Sequence, residues 1–315
     1  MNAPHPELEH TTDPAAEWVR RPERSNRFML QIMSWISLRL GRAPARLVLA
    51  GISLYFLLFS PAAKAASRDY LRRALEREPR FADQFRHFHR FASTIHDRIF
   101  LLNGRFDLFD IELHGQEMID TILADGRGAF LMGAHMGSFE VVRATGRQQP
   151  DLKVAMVMYE DNARKLNEAL AAISASAVQE VIPLGQVDSM LRVQAALDDG
   201  TALGVLSDRT LRGDATLSLP FLGANAEFPL GPMRLAAILK RPVVFMSGLY
   251  LGGNRYAIHF EQLADFSATE RAERDAAVHA AMLAYAACLE RHCRATPYNW
   301  FNFFDFWQPR PADKV

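Results

Sequence analysis

The sequence predicts an α/β fold, with a mostly parallel central sheet covered by helices and an N-terminal membrane-associated helical segment. Three observations carry that expectation. Beyond about Ile111 short apolar runs alternate with helical stretches, the pattern of a parallel sheet with covering helices. Apolar residues make up 49% of the 315-residue chain, ample for a buried core in one large α/β domain or two small ones. The stretch Leu47–Ala63 carries no charge and has basic residues on both sides.

From the start of the chain, residues 1–17 mix Pro, His and acids without periodicity and without the basic-then-apolar order of a secretory signal, which reads as a disordered tail. Between Trp18 and Arg46 seven arginines interleave with Trp18, Phe28, Trp35 and aliphatic residues. This amphipathic approach leads into Leu47–Ala63, at the lower limit of about 17 residues for a membrane-spanning helix. Residues 18–66 therefore read as a membrane anchor, either a short span or an interfacial helix, and 67–310 as a single α/β domain. Residues 68–103 have helical spacing, punctuated by Pro79. Their His87, His89 and His96 lack acidic or cysteine partners at ligand spacing, so a solvated helix face is expected and no metal site.

Strands are expected at Ala129–Ala134, Val154–Met158, Glu180–Pro183, Ala202–Leu206, Val243–Leu249 and Tyr256–Phe260. Helices are expected at Glu117–Ala124, Phe139–Gly146, Ala163–Ala177, Asp188–Leu197, Pro232–Leu239 and Glu270–His292. A ligand site then belongs at the carboxyl ends of the strands. The 36 basic and 36 acidic side chains cancel, so no global field draws the chain to nucleic acid. Cys288 and Cys293 lack CxxC spacing and suit a reduced protein.

The stretch GAHMGSFE, residues 133–140, joins an expected strand to an expected helix, with Ser138 as N-cap. A strand-end His135 and a first-turn Glu140 can face each other across the bend. Glu140 would accept from one imidazole nitrogen and leave the other free as a base. The alternative is a dipole-complementing acid beside a satisfied histidine. In LSDRTLRGD, Leu206 to Asp214, Arg209 and Arg212 could grip a phosphate, with Asp208 or Asp214 fixing a guanidinium, or the four charges could simply pair with one another. LPFLGANAEFPLGP, Leu219 to Pro232, is a Gly/Pro-shaped loop whose Phe221, Leu222, Phe228 and Leu230 suit an acyl chain or core packing. PYNWFNFFDFW, Pro297 to Trp307, has seven aromatics among eleven residues, so it is either tightly packed or at a lipid interface.

In combination these residues resemble the bacterial lipid A biosynthesis (lauroyl/myristoyl) acyltransferases of the lysophospholipid acyltransferase superfamily. The likeness runs from about Trp18 to Trp307 and includes His135 and Glu140 as a His-x4-acid motif, Asn162, the Asp208–Arg209 pair, PFLG at Pro220–Gly223 and FPLGP at Phe228–Pro232. It implies His135 and Glu140 as catalytic residues. Substrate binding would fall to Asn162, Arg164, Asp208, Arg209, Arg212, Phe221, Gly223, Pro229 and Gly231. It also implies transfer of a fatty acyl group from acyl-carrier protein or coenzyme A to a membrane lipid, without metal or other cofactor, at the cytoplasmic side of a bacterial inner membrane. The C-terminal segment carries Asp305 and no base, and is similar to the branch associated with aryl polyene pigment clusters. No GxSxG elbow or Cys-His arrangement occurs, so direct transfer is expected rather than an acyl-enzyme. The rival readings are a membrane-bound lipid or thioester hydrolase and a non-catalytic lipid-binding protein.

Overall fold

A computed structural model describes residues 41–146, 153–159, 181–184, 188–211 and 213–307, with positions 35, 37–39, 164, 167 and 173. The N-terminal part is helical: α1 (Arg42–Phe59), α2 (Pro61–Leu75) and α3 (Phe81–Leu102). There follow β1 (Asp110–His114), α4 (Gln116–Ala124), β2 (Ala129–Gly133), α5 (Phe139–Gly146), β3 (Val154–Tyr159) and β4 (Val181–Leu184). The remainder is α6 (Ser189–Asp198), β5 (Ala202–Leu206), β6 (Thr216–Phe221), β7 (Ala224–Pro229), α7 (Gly231–Ile238), β8 (Pro242–Gly252), β9 (Arg255–Asp265) and α8 (Arg274–Ala295).

Among the described residues seven strands form one sheet in the order β1-β9-β8-β2-β5-β3-β4, while β6 and β7 form a separate hairpin. Every neighbouring pair in the large sheet is parallel except β8 and β9. That exception follows from chain length: only Gly253 and Asn254 separate the two strands, too few for a parallel crossover, and Gly252 and Gly253 supply positive φ at the turn. Along β8, Val243, Phe245 and Leu249 enter one core while Val244, Met246 and Tyr250 enter the other. This period-two division means that both faces of the sheet are covered, which is why β2 is apolar and buried throughout.

Three strands went unread in the sequence. Strand β1 is an exposed edge of sequence DIELH with little apolar signal. The β6–β7 hairpin replaces the expected acyl-binding loop, and its Phe221, Leu222, Phe228 and Leu230 are all buried in the larger core. Phe221 packs against Phe228, Trp300, Phe306 and Trp307, so its surroundings are filled by other side chains. The solvated face expected of α3 is also corrected: His87 and His96 are buried. Ser67 Oγ lies 2.9 Å from His87 Nδ1, and the His87 Nε2–H donates to the Trp300 carbonyl at 2.7 Å. Burial pushes the His87 imidazole down to about 4 and keeps it neutral, as this pairing requires.

Helix α1 is long and apolar enough to cross a membrane. It lies along α3, fixed at both ends. Arg42 makes a two-pronged pair with buried Asp97 at 2.6 Å, and Arg46 reaches the Gly253 carbonyl and the Tyr250 hydroxyl. At the other end Leu57 is fully buried with Ala63 and Phe88. The opposite face leaves Leu47, Val48, Tyr55, Phe56, Leu58 and Phe59 exposed. The expected boundary at residue 66/67 falls inside α2, whose Tyr70, Leu71 and Ala74 belong to the main core.

Candidate active site

Strands β2 and β5 are parallel neighbours with Gly133 opposite Leu206. His135 and Asp208 each follow that paired position by two residues, so they emerge at the same height from the carboxyl ends of adjacent strands. The result is a direct contact of 2.7 Å between His135 Nδ1 and Asp208 Oδ1. Asp208 is wholly buried and its second oxygen, Oδ2, accepts three further bonds. The donors are the His135 backbone N–H at 2.9 Å, Trp300 Nε1 at 3.0 Å and Asn302 Nδ2 at 2.8 Å. Burial alone would raise this carboxyl, but the imidazole, the Arg209 guanidinium and the His135 amide outweigh it and hold Asp208 below the usual carboxylate range. An ionised Asp208 can only accept, so Nδ1 carries the proton and Nε2 keeps its lone pair. Burial, reinforced by Arg209 and opposed by Asp208, lowers the His135 pKa and leaves the resting imidazole neutral.

The expected pairing of Glu140 with His135 is therefore corrected, because Asp208 occupies the ring nitrogen that Glu140 was to hold. Glu140 stands in the first turn of α5, only 4% exposed, facing α3. Arg98 of α3 places its Nε 2.8 Å from Glu140 Oε1, an ion pair without the alignment of a hydrogen bond. Ser138 Oγ donates to the other oxygen at 3.4 Å. Asp208, expected to steady a guanidinium, instead orients the imidazole.

The loop between these residues is stapled on both sides. Gly137 donates to the Asn299 carbonyl at 2.8 Å, Ser138 N–H donates to the Gly248 carbonyl at 2.7 Å, and Phe301 N–H donates to the His135 carbonyl at 2.7 Å. Gly137 has φ +64°, and a Cβ there would lie 2.0 Å from the Gly248 oxygen, so only glycine fits. Asn299 extends the staple by pairing through its side chain with both the N–H and the carbonyl of Tyr250. The aromatic C-terminal segment is thus tightly packed, with Trp300 fully buried, and supplies the second wall of the site. Sequence reading missed Asn299, Trp300 and Asn302 as site residues. Their signal was the pair of amides set among rings in NWFN, polar groups that burial obliges to find partners.

His135, Glu140, Arg98, Arg209, Phe91 and Ile95 share the lining of a small cleft that opens to solvent. His135 is 28% exposed by side chain, reachable from that cleft. Arg209 donates from Nε to Asn302 Oδ1 at 2.7 Å and lies over the Phe304 ring. Of the other expected binding residues, Arg164 is exposed, while Asn162 and Arg212 lie outside the described residues. Phe221 and Pro229 are buried strand residues of the β6–β7 hairpin, Gly223 sits in its turn and Gly231 opens α7, and none of the four lines the cleft.

An imidazole oriented by a buried carboxylate, at the strand ends of a parallel sheet and open to a cleft, defines a protein equipped for general-base chemistry. The sequence pattern of the family described as bacterial lipid A biosynthesis acyltransferase matches residues 84–308, most of the chain and all of the cleft. The chain belongs to that family and is an acyltransferase of lipid-related acceptors, from a membrane-associated family. No curated protein matches the chain.

Proposed function

We propose that this acyltransferase moves a fatty acyl chain from an acyl-carrier-protein or coenzyme A thioester to a hydroxyl or amine of a membrane lipid or glycolipid. The observation that carries the mechanism is the His135–Asp208 contact at the cleft. His135 Nε2 takes the acceptor proton as the acceptor oxygen or nitrogen attacks the thioester carbonyl. Asp208 keeps Nδ1 protonated and stabilises the imidazolium that forms. Collapse breaks the C–S bond and expels the thiolate, which takes from Nε2 the proton that the acceptor gave up, so the chain supplies one base and needs no cofactor. Ser138, the nearest hydroxyl in the loop, is buried and donates to Glu140, which favours direct transfer over an acyl-serine. Arg98, held by Glu140, and Arg209, held by Asn302, place guanidinium groups on the cleft wall where donor or acceptor phosphates would bind.

Helix α1 supports attachment in the membrane interface rather than a crossing. It is packed along α3, which carries Arg86, Arg90, Asp97 and Arg98, and a helix docked lengthwise on such a partner stays at the surface. Its exposed apolar face then enters the bilayer, on the cytoplasmic side of the inner membrane where acyl thioesters are supplied. The lack of base in Pro297–Trp307 favours an acceptor less anionic than lipid A. The test uses purified protein and acyl-carrier thioester with and without extracted membrane lipid. Acceptor-dependent loss of thioester with a new acylated lipid, abolished by His135→Ala, is expected. Thioester hydrolysis indifferent to acceptor would assign a hydrolase instead, and full activity of His135→Ala would remove the mechanism.

A further inference from the structure

A second cluster of chemically capable side chains lies between β9 and α8. Cys288 and His292 are four residues apart on α8, hence on one face of the helix, and both are buried. Glu261 on β9 faces them, and the donor atoms of Glu261, Cys288 and His292 lie within 4.8 Å of one another. Strand alternation puts His259 on the same side of β9 as Glu261, and His114 is its register partner on β1. The three imidazoles form a file, with ring centroids 4.5 Å apart for His114 and His259 and 4.9 Å apart for His259 and His292. This gathers thiol, imidazole and carboxylate donors from three elements at one place.

The cluster is already arranged around a positive charge. Arg291 pairs with Glu261 Oε2 and reaches Cys288 Sγ at 3.5 Å, while His292 Nε2 lies 2.6 Å from Glu261 Oε1. The Arg291 side chain is 58% exposed and can withdraw into water. We propose that Glu261, Cys288 and His292 form a divalent transition-metal site of the zinc class, in which the ion takes the place of the Arg291 guanidinium. Zinc bonds of about 2.0–2.3 Å set ligand–ligand distances of about 3.3–3.8 Å, within reach of small side-chain rotations from the present spacing. A mixed sulfur, nitrogen and oxygen set with a fourth position open where Arg291 leaves suits Zn²⁺ or Co²⁺ rather than Mg²⁺ or Ca²⁺.

Binding is linked to protons. Coordination takes Cys288 as its thiolate, so binding releases the proton from Sγ. His292 Nε2, which faces the Glu261 carboxylate, exchanges that contact for the ion, and the ring proton then sits on Nδ1. The clip would brace α8 on β9. Tyr285, on the same helix, donates to the Gly133 carbonyl at 3.0 Å, so the brace bears on the strand that presents His135.

The test titrates chelator-treated full-length protein in detergent with Co²⁺, whose thiolate charge-transfer absorption reports a Co–S bond. One equivalent should bind with that absorption, Zn²⁺ should displace it, and melting temperature should rise with bound metal. Cys288→Ser should lose the absorption, Cys293→Ser should keep it, and His292→Ala should weaken Co²⁺ binding by more than about tenfold. Arg291→Ala, which leaves every ligand in place, should tighten binding. Absence of the absorption in both wild type and Arg291→Ala would overturn the site, as would its survival in Cys288→Ser.

Discussion

Replacing Asp208 by Asn separates the roles of the two carboxylates of the site, Asp208 behind the imidazole and Glu140 on the cleft wall. The amide has one oxygen and one NH2 to distribute over the positions of Oδ1 and Oδ2. At Oδ2 three donors converge, from His135 N, Trp300 Nε1 and Asn302 Nδ2 at 2.8–3.0 Å. Putting the NH2 there would set donor against donor three times, at about 1–3 kcal/mol each. The oxygen therefore takes that position and the NH2 faces His135 Nδ1. Only one contact is then wrong, and the imidazole relieves it by moving its proton to Nε2, the nitrogen that must act as base. In a Ser-His-Asp triad the same change of tautomer lowers kcat about 10⁴-fold, or about 5.4 kcal/mol of barrier. The expected result for Asp208→Asn is a fall of that order in single-turnover acyl transfer, with three of the four bonds retained and thermal unfolding changed little. Glu140→Gln should cost far less, since Glu140 touches Arg98 and Ser138 and not the ring. An Asp208→Asn enzyme within tenfold of wild type, or a deeper loss in Glu140→Gln, would refute the assignment.

Because the base must be neutral and burial has lowered its pKa, kcat/KM should rise with pH through a midpoint below 6.5 and stay level at neutral pH. Arg209→Gln removes a charge that lowers this pKa, so its acid limb should move to higher pH, and an unmoved limb would contradict the electrostatic coupling. Arg98→Met should destabilise the fold by about 3 kcal/mol in urea, by leaving the buried Glu140 carboxylate without its counter-charge, and the double variant with Glu140→Gln should recover most of that loss. Tyr55 and Phe59 are 58% and 68% exposed on α1, and replacing both by Asp should reduce vesicle cosedimentation by about 10²-fold or more while leaving the Arg42–Asp97 contact intact. Unchanged sedimentation would mean that this face does not meet lipid.

Strands buried on both faces announce themselves, so β2, β5 and the alternation around them were legible from residue type alone. Strand β1 was not, because only Ile111 and Leu113 of its five residues are apolar, four of the five are exposed, and its conformation comes from pairing with β9. The antiparallel turn from β8 to β9 was written in the two-residue connection rather than in the strands. The aromatic run of Pro297–Trp307 marked a segment that must be buried or greasy, and packing chose burial, because Trp300 and Asn302 are required to satisfy Asp208.

By itself, the sequence determined the α/β class, the placing of His135 and Asp208 at strand ends, the apolar helix α1 and the family. Whether Glu140 or Asp208 serves the imidazole was decided by tertiary structure alone. Strand register sets β2 beside β5 and brings together residues 73 positions apart, while the bend after His135 turns Glu140 toward α3. Local spacing governs what one helix or strand can present, but a contact between chain-distant groups depends on which strands become neighbours, and that is fixed by the packing of the whole sheet.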